Sequence, residues 1–126
     1  SISERTNPME LIEHIAQYLN GNGIEATSGV MPAFPARIAT VYATGIRPAK
    51  DGEGSRFQVI VRSEADSDTA IGDIMRIIDL LDDFSGIMSM DSPYFARIRL
   101  ETGAAALGAD ENRRPMYSAN FRAWVC

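Results

Sequence analysis

"FQVIVRSEADSDTAIGDIMRIIDLLDD", residues 57–83, changes its hydrophobic period once, and that change sets the fold class. Phe57, Val59 and Val61 alternate with Gln58, Ile60 and Arg62, the pattern of a strand with one face turned to a core. Further on, Ile71, Ile74, Ile78 and Leu81 recur at helical spacing, and Ala70, Ile77 and Phe84 widen the stripe. Asp66 or Ser67 is placed to cap this helix, and Gly86 is expected to end it. The strand and the helix each have one apolar side, and burying both requires a helix layer on a sheet.

Upstream, "RIATVYAT" (37–44) is a second segment rich in β-branched and aromatic residues. Between the two strands lies "GIRPAKDGEGS" (45–55), too long for a tight hairpin turn and expected to project as a charged loop carrying Arg47, Lys50, Asp51 and Glu53. Nearer the start, Asn7 can cap a helix with Pro8 at its first position and Glu10 closing the box, and Leu11, Ile12, Ile15, Ala16 and Leu19 form its apolar side. Asn20, Gly21 and Gly23 stop that helix, and residues 24–35 read as a short strand or extended arm broken by Gly29, Pro32 and Pro35. Downstream, "YFARIRLETG" (94–103) and the stretch from Tyr117 to Val125 are two more strands, joined by an expected linker "AAALGADENRRP" (104–115). In the last strand Tyr117, Ala119, Phe121, Ala123 and Val125 share one face, while Ser118, Asn120, Arg122 and Trp124 share the other. The expected fold is therefore α+β, a single domain over residues 1–126 in which a mostly antiparallel sheet carries two helices on one face.

Composition narrows the function classes. The chain has 126 residues, 45% of them hydrophobic, which suits one domain burying roughly two-thirds of its unfolded surface. A net charge of −5 argues against binding free nucleic acid, whose phosphates call for a surplus of Lys and Arg. No apolar run approaches the roughly 20 residues of a membrane span, and no signal-peptide pattern opens the sequence. With Cys126 as the one cysteine, an internal disulfide or thiolate cluster is impossible, and synthesis in a reducing cytoplasm is expected.

Searches for chemistry find little. His14 is the one histidine and falls on the polar side of the first helix, where a surface role is the ordinary one. Gly21, Gly23 and Ala26 match a dinucleotide-binding spacing, but they follow a helix where that mechanism needs a strand. "DSDTAIGD" lacks the glycine position and the distal glutamate of a calcium loop, and it reads better as an acidic helix N-terminus. No catalytic, cofactor-binding or metal-ligating set emerges, and the methionines read as packing residues. Contact is the better supported role. Trp124, opposite Phe121 and Val125, either closes a second small core or sits in an interface, where Trp and Arg are enriched. Arg62, Arg97, Arg99 and Arg122 lie on polar strand faces, whereas Asp66, Asp68, Asp73, Asp79, Asp82 and Asp83 crowd the second helix. Such charges are either a solvated surface or complementary poles that dock head to tail between copies.

The order of elements resembles the tail terminator (minor capsid, tail completion) proteins of long-tailed bacteriophages. The resemblance rests on "MELIEHIAQYLN" (9–20), on the strand and helix that run through 57–83, and on "LGADENRRPMYSANFRAWV" (107–125), all in the same order and spacing. It implies a non-enzymatic virion protein, without cofactor, assembled in the host cytoplasm into a ring, usually hexameric. Such a ring sits at the head-proximal end of the tail tube, stops tube polymerisation and meets the neck. The implied partners are further copies of the chain, the tail tube protein and a neck or head-completion protein, with DNA passing through the lumen and no membrane contact. By the same resemblance, the first helix and the sheet edges would meet neighbouring subunits. The loop with Arg47, Lys50, Asp51 and Glu53, next to Arg56, would reach toward tube or lumen. The charged turn with Asp110, Glu111, Arg113 and Arg114 would contact tube or neck, and another chain would cover Arg122 and Trp124. Two rival readings stay open: a head-closure or neck adaptor protein, and a small α+β ligand-binding domain or enzyme.

Overall fold

The computed structural model describes residues 8–44, 54–88 and 95–125. Helix α1 (Pro8–Gly21) is followed by strands β1 (Ala26–Ser28), β2 (Ile38–Ala43) and β3 (Ser55–Arg62), helix α2 (Ser67–Leu81), and strands β4 (Ser85–Ile87), β5 (Phe95–Ala109) and β6 (Pro115–Val125). One sheet holds all six strands in the order β1-β2-β3-β6-β5-β4. β1 and β2 run parallel and every other neighbouring pair antiparallel. The expected loop residues Arg47, Lys50, Asp51 and Glu53, and the Asn7 cap, lie outside the described residues.

Both helices cover one side of the sheet, as the two periods require. α1 packs over β1 and β2, and α2 over β3, β5 and β6. Leu11, Ile12, Ile15 and Leu19 of α1 and Ala70, Ile74, Ile77 and Leu81 of α2 meet Val41, Phe57, Val59, Ile98, Ala119 and Phe121 in one core. At its centre the rings of Phe57 and Phe121, paired across β3 and β6, stack with centroids 5.1 Å apart. Asp66 caps α2 as expected, accepting from the Asp68 N–H at 2.9 Å and from the Thr69 hydroxyl at 3.1 Å. Ile71 departs from the expected stripe. It lies on the solvent side of α2, 39% exposed.

Two boundaries differ from the sequence reading. α2 stops at Leu81, before Gly86, because Asp82 is already extended with its N–H on the Ile78 carbonyl and Asp83 adopts a positive φ of 62°. Phe84 then turns back to meet Tyr18 edge-on at 5.0 Å, and Gly86 belongs to β4. The second difference is larger. Residues 104–109, expected as linker, extend β5 to Ala109, and β6 begins at Pro115, so the true connection is the turn 110–114. Gly and Ala have poor strand propensity on their own, and here the ladder to β6 imposes the conformation. Three register shifts between Leu100 and Gly108 show how irregular this half of the strand is.

The sheet edges are treated unequally. On β1, the Ala26 N–H and C=O are both taken by the Asn20 carboxamide, at 2.8 and 3.0 Å, which closes that edge. On β5, β4 pairs residues 95–97, the Phe84 carbonyl accepts from Ile98 N–H, and the Asp82 carboxylate accepts from Leu100 N–H. From Glu101 to Ala109 every residue is exposed, and among the described residues no strand flanks the outer side. β6, by contrast, is an inner strand. The feature it leaves open is a face, not an edge.

Replacing Phe121 with Ala removes half of the central ring stack and should lower the unfolding free energy by about 3–5 kcal/mol in urea denaturation. A loss below about 1 kcal/mol would mean that the core is not centred there.

Candidate functional site

The sheet face turned away from the helices carries the candidate site. The register sets Arg56 of β3 opposite Arg122 of β6, and Arg122 opposite Arg99 of β5. Three arginines therefore stand side by side across three strands, a row that repels itself unless acids intervene. The register shift between Leu100 and Thr102 supplies one, because the extra residue there is Glu101. Its two oxygens lie 3.2 Å from Arg56 Nε and 3.0 Å from Arg122 Nη2. Asp83 lies 3.3 Å from Arg99 Nε. The next pair along is Arg97 with Trp124. Trp124 and Arg122 are held close by Gly54, where the chain enters β3 at φ 78°. A Cβ on Gly54 would fall 2.8 Å from Arg122 Cγ and 3.0 Å from Trp124 Cε2, so glycine is required twice over, by conformation and by space.

The opposite end of this face is covered. Arg62, six residues along β3 from Arg56, was expected on an open polar face but is 4% exposed. An arm, residues 29–37, lies over it. Its guanidinium donates to four backbone carbonyls of that arm: Ala36 at 2.8 Å, Pro32 at 2.7 Å, Pro35 at 3.0 Å and Ala33 at 3.3 Å. The peptide between Phe34 and Pro35 is cis. The β5–β6 turn adds a second clamp, since Arg114 donates to the Ala33 carbonyl at 3.0 Å and to Asp110 Oδ2 at 2.7 Å. Asp110 Oδ1 accepts from the backbone N–H groups of Asn112 and Arg114, both at 2.9 Å, and Oδ2 lies 4.0 Å from Arg62 Nη1. Desolvation pushes the Asp110 carboxyl up, but the hydrogen bonds from Arg114 and Asn112 outweigh it and hold it below the usual carboxylate range. Burial, helped by the nearby Arg114, lowers Arg62 from the usual guanidinium value. The arm so fixed displays Phe34, 83% exposed, and Val30.

The structure divides the sequence-predicted residues between these two ends. Arg56, Arg122 and Trp124 meet on the open end. Asp110 and Arg114 are spent on the clamp, while Glu111 and Arg113 of the same turn are exposed. Sequence reasoning did not single out Glu101 or the arm carbonyls. The Arg62 partners are main-chain oxygens, which leave no side-chain signal, although a long cation facing a proline-broken arm was a hint. A surface cleft of about 210 Å³ between the α1–β1 connection, β2 and α2 is bordered by Arg37 and Asp73, which bond each other at 2.8 and 2.9 Å. Among the described residues no group of three or more His, Cys, Asp or Glu is placed to hold a metal, and no helix is long and apolar enough to cross a membrane. The chemistry this face offers is charge and an indole surface.

A model of the family described as "Bacteriophage tail terminator protein" matches residues 18–125, from the last turn of α1 to the end of β6. A search of curated proteins found no match.

Arg62→Met would leave the Pro32, Pro35 and Ala36 carbonyls without this donor, Ala33 keeping Arg114, and is expected to cost about 2–5 kcal/mol in urea denaturation, with faster proteolysis of residues 29–37. An unchanged midpoint would show that the arm does not depend on this guanidinium. The folded-state pKa of Asp110 is depressed, so its contribution is full above the unfolded carboxylate range near pH 4 and fades as pH falls through the lower folded value. Melting temperatures from pH 7 to 3 should therefore fall less steeply below about pH 4 in Asp110→Asn than in the parent. Equal slopes would contradict the clamp.

Proposed function

The chain belongs to the bacteriophage tail terminator family, and from that premise we propose that it forms a ring, hexameric in number, which caps the head-proximal end of the tail tube. As a member of that family it is a structural component of the phage tail that works through contacts with other virion proteins. The proposed ring stops tube polymerisation, joins the tail to the neck, and lets DNA pass through its lumen. Its partners are further copies of the chain, the tail tube protein and a neck or head-completion protein. The observation that carries this reading is the family match, because it takes in every strand, α2 and the whole candidate face.

Two features of the molecule support it. A face bearing arginines and an indole has the composition of an interface centre. Among the described residues no strand flanks the outer side of β5 from Glu101 to Ala109, an exposed edge of the kind to which another chain can pair. In this reading Arg56, Arg122 and Trp124 lie in a contact between subunits or with the tube. Glu111 and Arg113 on the β5–β6 turn, beside the clamp residues Asp110 and Arg114, face tube or neck, and Arg47, Lys50, Asp51 and Glu53 reach toward tube or lumen.

Light scattering across a concentration series, with and without polymerised tail tube protein, tests the proposal. A discrete multiple of the monomer mass, alone or only on tubes, together with tubes that stop elongating when the protein is added, is the expected result. A monomer that leaves tube growth unchanged would overturn it.

A further inference from the structure

The solvent side of α2 is built as a counterpart to the arginine face. Asp68, Gly72, Met75 and Asp79 follow at intervals of four, three and four residues, which aligns them along one stripe of the helix. This stripe is distinct from the buried one formed by Ala70, Ile74, Ile77, Ile78 and Leu81. Its middle is apolar, with Met75 46% exposed and Ile71 beside it at 39%. Gly72 lies between them, exposed, and a Cβ there would meet nothing within 4 Å, so the helix backbone is open to approach at this point. Exposed carboxylates stand at both ends, Asp68 on one side and Asp79 on the other. An apolar centre with a charged rim is the anatomy of a protein interface.

The arginine face has the same plan with the opposite sign. Trp124 provides the apolar element, and Arg56, Arg97, Arg99 and Arg122 surround it, with Glu101 and Asp83 as the acids that pair with them among the described residues. Arg56, Arg97 and Arg99 are exposed. The exposed carboxylates of α2, Asp68 and Asp79, are opposite in sign to the exposed arginines of this surface, so the two are electrostatically complementary. We propose that the occupant of the arginine face is α2 of a second copy, with Trp124 against Ile71, Gly72 and Met75 and the arginines against Asp68 and Asp79. The two surfaces belong to opposite layers of the molecule, the far face of the sheet and the outer side of a helix. The contact is therefore heterologous, so every copy offers both halves and the chain of contacts closes into a ring when the rotation allows. The inference rests on the ring reading above and specifies its subunit contact.

The test uses charge reversal and mixing. One variant carries Arg97→Glu with Arg99→Glu, the other Asp68→Lys with Asp79→Lys; all four side chains are exposed, and urea melts confirm that both variants fold. Each variant alone should require at least tenfold higher concentration than the parent to assemble, read by light scattering with and without tail tubes. Equimolar mixing should restore assembly, because the acidic sheet face of one variant then meets the basic helix of the other, and the basic sheet face of the second meets the acidic helix of the first. The restored particle should contain the two variants in equal numbers by mass spectrometry. If the parent assembles and both folded variants assemble equally well, the surface assignment fails while the ring reading stands. If both fail alone and the mixture stays unassembled, the two surfaces are not each other's partners. If reversing the arginines abolishes only tube binding, the face belongs to the tube protein and the proposal is overturned. A parent that never assembles, with or without tubes, removes the ring and this contact together.

Discussion

The insertion of β6 between β3 and β5 is the constraint on which the rest of the molecule depends. Strand side chains alternate, so one register decides two surfaces at once. Phe121 is set on Phe57 beneath the helices, and one residue later Arg122 is set between Arg56 and Arg99 on the other face. A slip of one residue would bury the arginines and expose the ring stack. The core therefore fixes the arginine face, and the free energy of packing Phe57, Phe121 and their neighbours holds the arginine row together against its own repulsion. Glu101 completes that balance from the bulge, where an added residue can be aimed without disturbing the alternation on either side.

Arg62 performs a different task with the same kind of side chain. A buried guanidinium is tolerable only when its donors are satisfied, and here the acceptors are the carbonyls of an arm that has no regular secondary structure of its own. Each side depends on the other. The carbonyls solvate the cation, and the cation gives the arm a fixed course over β3. Asp110 and Arg114 tie the β5–β6 turn into the same arrangement, so the arm and the hairpin end are bonded to each other. The sheet face is thereby divided into an end sealed by residues 29–37 and an end that carries Arg56, Arg99, Arg122 and Trp124.

Much of this was legible in the sequence, and the exceptions share a cause. The periods of residues 57–83 gave the strand, the cap and the helix, and the alternation in 117–125 placed Arg122 and Trp124 on the outer face. The second half of β5 was not legible, because "AAALGA" (104–109) has no β-branched or aromatic side chain and becomes a strand only through its ladder to β6. The end of α2 was missed for a related reason: Gly86 looked like a stop signal, but the helix yields earlier to the packing of Phe84 on Tyr18. Arg62 looked like a surface cation because its partners are main-chain atoms distant in sequence. Propensity and period report on neighbours along the chain, whereas each of these features is decided by neighbours in space.

The measurement that bears most directly on this account is a cryo-electron microscopy structure of the protein assembled at the end of a tail tube. The account predicts a ring in which the sheet face bearing Arg97, Arg99, Arg122 and Trp124 of each subunit lies against Asp68, Met75 and Asp79 of the next. A ring in which α2 faces solvent all round, or in which the arginine face lines the lumen, would contradict it.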